Sequence, residues 1–341
     1  MPLTGMVDAE DVSFEVRPFS RIVVSKRLKY KRLKEEVNDP KLKEIYDNRQ
    51  IALKWILVTC FGYLGYRNAK FGTVDGHIGV CAFGRDAFLR AARISENRGF
   101  EVLHGIVDSL WLKREDAEIE DYRELCEQVS GEIGVPLNFE ARYNWIVFLP
   151  SKMHPDVGVL NRYYGVMESG KIKVRGLEVR RRDTPKFVSN AQTEMINVFS
   201  QASNSKEFMQ KIPEALSIVK TYRQKLLDGE VPFEDLIITK HLSKNPKNYK
   251  QHVSQVIAAQ QLMKEGAEVN AGKNVNFLFT DSDNKRFERR VKAEQLLDKG
   301  VNPDMEKYLQ LLYESAASLL SFSHYTRKVI HDSVRSYENK G

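Results

Sequence analysis

Cysteine is scarce and scattered. The 341 residues hold three, Cys60, Cys81 and Cys126, too few and too far apart for a disulfide framework, which fits a reducing cytosol. No apolar run reaches membrane length: the longest nearly uncharged stretch, Trp55 to Tyr66, falls short of the roughly 18 residues a span needs. The opening residues carry Asp8 and Glu10 with no basic start and no apolar core, so no secretory signal is read there. None of the seven histidines has a Cys or His partner at zinc spacing. No nucleophile elbow surrounds Ser109 or His104, which removes a serine-type hydrolase. Internal repeats and low-complexity tracts are missing as well. What is present is enough apolar material, 42% of residues, to exclude wholesale disorder. The expectation is a cytoplasmic protein of two or three structural units with no membrane partner.

The net charge is a modest +7, from 53 Lys and Arg against 46 Asp and Glu. That allows nucleic acid as a partner without requiring it. Its distribution says more. Lys26 to Lys34 reads KRLKYKRLK, six basic residues of nine, followed by Glu35 and Glu36. Tyr30, Leu33 and Val37 recur at helical spacing, so this is an amphipathic helix with a basic face. Lys171 to Lys186 is denser, with seven basic residues (Lys171, Lys173, Arg175, Arg180, Arg181, Arg182, Lys186) against Glu178 and Asp183, a local balance of 7 − 2 = +5. Ile172, Val174 and Leu177 suggest a strand entering a turn at Gly176. Cations on such a fixed backbone can follow a phosphodiester chain without reading bases.

The periodicity predicts two helices, Ser20 to about Val37 and Lys41 to about Cys60, broken at Asn38-Asp39-Pro40 and packed as an antiparallel pair. Glycines 62, 65, 72, 76 and 79 are expected to end the second helix and turn the chain. A further helix is expected over Gly84–Asn97, a hairpin over Phe100–Lys113 turning near Gly105, a helix over Asp116–Gly131 and a strand over Leu137–Leu149. Arg162 to Val179 reads as strand-rich, and the remainder as mostly helical.

Three segments, in order, resemble family B DNA polymerases, archaeal type, over nearly the whole chain from about Arg17. Arg49 to Tyr66, RQIALKWILVTCFGYLGY, is similar to the fingers helix of that family. Lys54 stands at its lysine, and Gly62, Tyr63 and Gly65 follow its Tyr-Gly pattern, while Val58 replaces its Asn and Phe61 its Tyr. Phe100 to Lys113 resembles the palm hairpin whose tip bears two metal-binding aspartates one residue apart. Asp108 is the second of these; Ile106 stands at the first. Asn161 to Asp183 resembles the palm-to-thumb junction that grips primer-template duplex. Arg162-Tyr163, Arg175-Gly176-Leu177-Glu178 and Arg181-Arg182-Asp183 match it, and Leu160 and Asn161 replace two lysines. Phe139-Glu140 and Tyr143 fit the palm strand leading into that junction. The family's other metal-binding palm strand has no counterpart around Asp8, Glu10 and Asp11.

The resemblance implies an α+β right hand, with the tail over residues 1–16, fingers 17–66, palm 67–158 and a mostly helical thumb 159–341. It implies nucleotide contacts from Lys54, Arg49 and Tyr63, and DNA contacts from Arg162, Tyr163, Arg175, Gly176, Arg180, Arg181 and Arg182. Asp108 is the implied catalytic and metal-binding group, with Glu140 a second metal candidate and Mg²⁺ the ion. Primer-template DNA and a deoxynucleoside triphosphate are the implied partners, in a nucleoid-associated setting. Isoleucine offers a hard cation no lone pair, and two-metal transfer needs carboxylates at both ions. The chain is therefore expected to be incomplete alone, a separate polypeptide supplying the exonuclease part and the missing palm motif. The alternatives are an inactive DNA-binding or scaffolding paralogue, and a basic RNA-binding protein without polymerase ancestry. No clamp-binding peptide is read at Tyr337 to Gly341.

Overall fold

The computed structural model describes residues 16–335 except 71, 152, 155, 156, 299 and 324. The amino-terminal tail up to residue 15, with Asp8, Glu10 and Asp11, and the Tyr337–Gly341 segment lie outside the described residues. The chain divides into two compact units, one running to Asp116 with Glu124–Leu137 added, the other Ala117–Arg123 with Asn138 onward.

The first unit opens with α1 (Val16–Glu36) and α2 (Pro40–Leu64). Asp39 caps α2, its carboxylate accepting from the Lys41 amide at 2.9 Å, and Pro40 starts the helix where a missing N–H costs nothing. The pair is antiparallel: Lys34 meets Asp47 at 2.8 Å, Tyr30 stacks on Tyr46 and the Arg49 guanidinium lies over the Tyr30 ring. Helix α3 (Val74–Asn97) begins ten residues before the expected start at Gly84, because Thr73 caps it and Gly76 and Gly79 are carried inside the helix rather than breaking it. Strands β1 (Glu101–Ile106) and β2 (Ser109–Lys113) form an antiparallel hairpin. Its turn is Val107-Asp108, not Gly105. Gly105 lies in β1, where a Cβ would come within 2.3 Å of the Phe88 ring of α3. Helix α4 (Ile119–Ile133) is tied to α3 by Arg90, which donates to the Glu132 carbonyl at 2.7 Å, and by Arg98, which donates to Gln128 at 3.0 Å.

The second unit contains a three-stranded antiparallel sheet, β3 (Tyr143–Pro150), β4 (Gly158–Met167) and β5 (Ile172–Arg175), in that order. A palm–thumb division at 158/159 falls at the start of β4, inside the β3–β4 pair. Helices α5 (Lys186–Ser200), α6 (Ser205–Gln210), α7 (Ile212–Leu227) and α8 (Phe233–Leu236) follow. Then come β6 (Ile238–His241), α9 (Ser254–Lys264), β7 (Asn274–Phe279), β8 (Val291–Ala293), α10 (Met305–Leu319) and α11 (Arg327–Arg335). The region expected to be mostly helical thus also holds a small antiparallel sheet, β6-β7-β8.

The core of this unit joins the inner face of the first sheet to α5, α7 and α10, with Tyr164, Phe199, Val219, Phe277 and Leu319 fully enclosed. Three of its buried polar tips reach backbone carbonyls. The Trp145 indole donates to the Ala202 carbonyl at 3.0 Å, the Tyr164 hydroxyl to the Leu319 carbonyl at 3.0 Å and the Tyr308 hydroxyl to the Leu236 carbonyl at 2.8 Å. Burial holds both phenols well above their usual range. Among the described residues no helix is long and apolar enough to cross a membrane. Helices and antiparallel sheets together make the α+β class expected from the sequence.

Candidate nucleic-acid interface

In the second unit, β5 ends at Arg175 and the chain turns at Gly176 into a 3-10 turn, Glu178–Arg180. Gly176 has φ +66, and a Cβ there would lie 2.3 Å from the Asn161 carbonyl oxygen, so only glycine fits. Arg162 on β4 donates through Nε to the Gly176 carbonyl at 3.3 Å and through Nη2 to the Ser318 hydroxyl. Tyr163 is buried and tilts its ring against Phe148. Arg162 thus ties the turn to β4, and Tyr163 pairs with Arg175 across β4 and β5. The segment beyond it is held by Gln192 of α5, which is 0% exposed. Its carbonyl accepts from the Val179 amide at 2.7 Å, and its amide group donates to Glu178 at 2.9 Å and to the Ser315 carbonyl at 3.0 Å. A polar side chain on an otherwise apolar helix face, FVSNAQTEMINVF, is the signal that could have found it in the sequence.

Both acidic groups of the strip are engaged. Glu178 accepts from Gln192, and Asp183 binds Arg181 through both carboxylate oxygens, at 3.0 and 2.9 Å. The Arg181 hydrogen bonds hold the Asp183 carboxyl below its usual range. Lys173 donates to Glu140 at 2.8 Å; burial pulls its ammonium down, but the Glu140 hydrogen bond and the nearby Tyr143 and Tyr163 outweigh this and leave it above its ordinary value. Two of the seven cations are thereby paired. Lys171, Arg175, Arg180, Arg182 and Lys186 stay exposed, with no ion-pair partner among the described residues.

In the first unit, Lys54 is exposed on α2 without an ion-pair partner among the described residues, Tyr63 is 65% exposed with its ring edge-on to Tyr66, and Arg49 covers Tyr30. The register set by Lys34–Asp47 and Arg49–Tyr30 carries Arg27 of α1 to the level of residues 51–54. Its Nε is buried with no hydrogen-bond partner among the described residues. A guanidinium donor left this way calls for an acceptor, yet in the sequence it was one cation of six in a run.

At the hairpin tip, Ile106 pairs with Ser109, and Val107 has φ 56 and is 84% exposed. Asp108 is exposed, and the Ser109 hydroxyl donates to it at 3.3 Å. Family B polymerases as a class use divalent metal ions, but these donors do not fit such a site. Among the described residues Asp108 is the only carboxylate at the tip, Glu140 is bound to Lys173, and no group of three or more His, Cys, Asp or Glu that could hold a metal occurs.

Compared with known proteins, residues 20–322 match the family described as DNA polymerase family B. The DNA polymerase of Archaeoglobus fulgidus is 30% identical over 243 residues, 70% of this chain and 29% of that protein. DNA polymerase 2 of Saccharolobus solfataricus is 33% identical over 189 residues, 55% of this chain and 28% of that one. DNA polymerase 1 of Pyrococcus abyssi is 27% identical over 294 residues, 84% and 36%. The solved structure of the family B DNA polymerase from Pyrobaculum calidifontis shares the fold, with a TM-score of 0.57 at 23% identity over 87% of this chain and 37% of its own. The chain spans 28% to 36% of the length of these curated relatives.

Proposed function

Because the chain belongs to DNA polymerase family B, we propose that it is a palm, fingers and thumb portion that binds primer-template DNA and nucleotide for DNA-templated nucleotidyl transfer, and that it is incomplete alone. The observation that carries this is the strip from Lys171 to Lys186. Of its two acids, Asp183 is paired with Arg181 and Glu178 is hydrogen-bonded to the Gln192 amide, and five cations stay without an ion-pair partner among the described residues on a backbone fixed by Gly176, Arg162 and Gln192. Such an array grips phosphates and holds register without selecting sequence. On the fingers pair, Lys54 and Arg27 offer two cations at one level, suited to the triphosphate of an incoming nucleotide, with Arg49 and Tyr63 on the same helix.

The chemistry of bond formation is not assigned to this chain. One exposed carboxylate, Asp108, flanked by Ile106, cannot clamp two cations. Mg²⁺ would need further carboxylates from another polypeptide, which is the place for a partner bearing the missing palm strand and the exonuclease part. A nucleoid-associated location follows from the DNA partner.

The test has two parts. Fluorescence anisotropy should show tighter binding to a recessed 3′ primer-template than to single-stranded DNA or RNA of equal length, and equal affinity for all three overturns the duplex assignment. Primer extension by the chain alone, with Mg²⁺ or Mn²⁺, should give no product. Product that vanishes in Asp108→Ala overturns the incompleteness.

A further inference from the structure

Helix α2 runs for 25 residues without burying one of them, so its direction relative to α3 depends on a small joint where the two helices meet. The first turn of α3 lies against Leu64, which a Cβ on Gly76 would approach to 3.5 Å. One turn into α3, the His77 imidazole stacks on the Phe61 ring, with centroids 4.3 Å apart and planes inclined by 29°. Its Nδ1 donates to the Phe61 carbonyl at 3.3 Å. That carbonyl belongs to the last turn of α2, where helical acceptors run out of donors, and the Gly65 amide turns to Tyr63 instead. Gly65 itself has φ −86, a conformation open to any residue. Glycine is required there for space, because a Cβ would come within 2.9 Å of the His77 ring.

The joint links two places of chemical interest. Beyond it, α3 carries the β1–β2 hairpin on its Phe88 ring, packed closely against Gly105. On the other side, Lys54 stands seven residues before Phe61, about 10 Å along the helix at roughly 1.5 Å per residue. A tilt at the joint therefore moves the Lys54 ammonium relative to Asp108 at the hairpin tip. A shift of about 1 Å is enough to cost a positioned group much of its effect.

We propose that His77 is a positioning residue: by holding both the ring and the carbonyl of Phe61 it sets the angle between α2 and α3, and so places the Lys54 cation for the triphosphate of a nucleotide. This rests on the nucleotide contact assigned to α2 above. It adds a residue that the sequence offers only as one histidine of seven, and it gives Gly65 a task, which is to leave room for the imidazole.

The experiment measures binding of a fluorescent deoxynucleoside triphosphate, by anisotropy, to the full chain on primer-template DNA and to four variants: Lys54→Ala, His77→Ala, Gly65→Ala and Gly65→Ala/His77→Ala. Loss of the joint lowers the share of chains with α2 correctly set, and apparent affinity falls with that share, by roughly 3- to 10-fold in His77→Ala. Gly65→Ala should lose about as much by displacing the ring, while its thermal melting holds, since alanine in place of glycine at φ −86 offsets the lost stack. The double variant should bind no more weakly than His77→Ala, because the added methyl then meets no ring. Affinity that merely follows melting temperature across the set overturns the positioning role. A loss in Lys54→Ala with none in His77→Ala overturns the joint and leaves the nucleotide contact standing. No triphosphate binding by the full chain overturns the nucleotide contact and the joint with it.

Discussion

The two units each place a residue in left-handed backbone conformation beside a surface of interest, and they fill that position differently. At the exit of β5 the residue is Gly176, with φ 66; at the β1–β2 tip it is Val107, with φ 56. Around Gly176 every level agrees. Glycine suits the backbone, Gln192 and Arg162 satisfy the neighbouring polar groups, and both acids are engaged so that the remaining cations face solvent. Such agreement marks a surface whose geometry and chemistry serve one task. At the hairpin tip they have parted. Pairing of Ile106 with Ser109 leaves only two residues for the turn, which forces a β-branched side chain into a region it disfavours. The group that such a tip would present is reduced to Asp108. The strip is a braced row of cations; the tip is a strained turn that offers one exposed carboxylate, Asp108.

Exchanging the two side chains is the strongest way to break this comparison. Gly176→Ala puts a Cβ 2.3 Å from the Asn161 carbonyl and 2.7 Å from the Arg162 side chain. Left-handed strain of about 1–3 kcal/mol and that overlap together should cost about 3 kcal/mol, and duplex affinity should fall with it. Chemical denaturation and anisotropy read the two losses. Alanine tolerated at full stability would mean the turn is not locked. Val107→Gly should act in the opposite direction. Relief of a left-handed residue, roughly 1–2 kcal/mol, less glycine's extra chain entropy of roughly 0.5–1 kcal/mol, leaves a gain of roughly 0.5–1 kcal/mol. Hydrogen exchange at the β1 and β2 amides localises it. A loss of protection there would show that the Val107 side chain does something for the tip that the fold does not reveal.

Much of this was legible in the sequence. Asn38-Asp39-Pro40 marked the break between α1 and α2 because capping and proline are local rules, and the Lys171–Lys186 strip announced itself by density. Other features were hidden by the same locality. Gly76 and Gly79 read as breakers, but Thr73 capping and contact of the α3 end with the hairpin and α4 outweigh a cost of about 1 kcal/mol per glycine. Strands β6 to β8 run four, six and three residues, too short for alternation to be told from a helical turn. Gln192 joins Glu178, Val179 and Ser315, partners more than a hundred residues apart, and no window along the chain contains them all.

The pairing of Arg181 with Asp183 gives the finest probe of the strip. Its hydrogen bonds hold the carboxyl below the ordinary value in the folded chain. A carboxylate lowered on folding contributes stability above its unfolded value and loses it as pH falls through the folded one. Arg181 is 57% exposed at its side chain, so screening keeps the contribution to a few tenths of a kcal/mol. In urea denaturation the full chain should exceed Arg181→Gln by that amount from pH 7 down to about 5, and the gap should close below about 4, where unpaired aspartates protonate. A gap that stays constant to pH 3 would mean that Arg181 acts through packing of its stem rather than through its charge on Asp183. Asp183 would then leave Arg181 free to join the phosphate-facing row, raising its free cations from five to six.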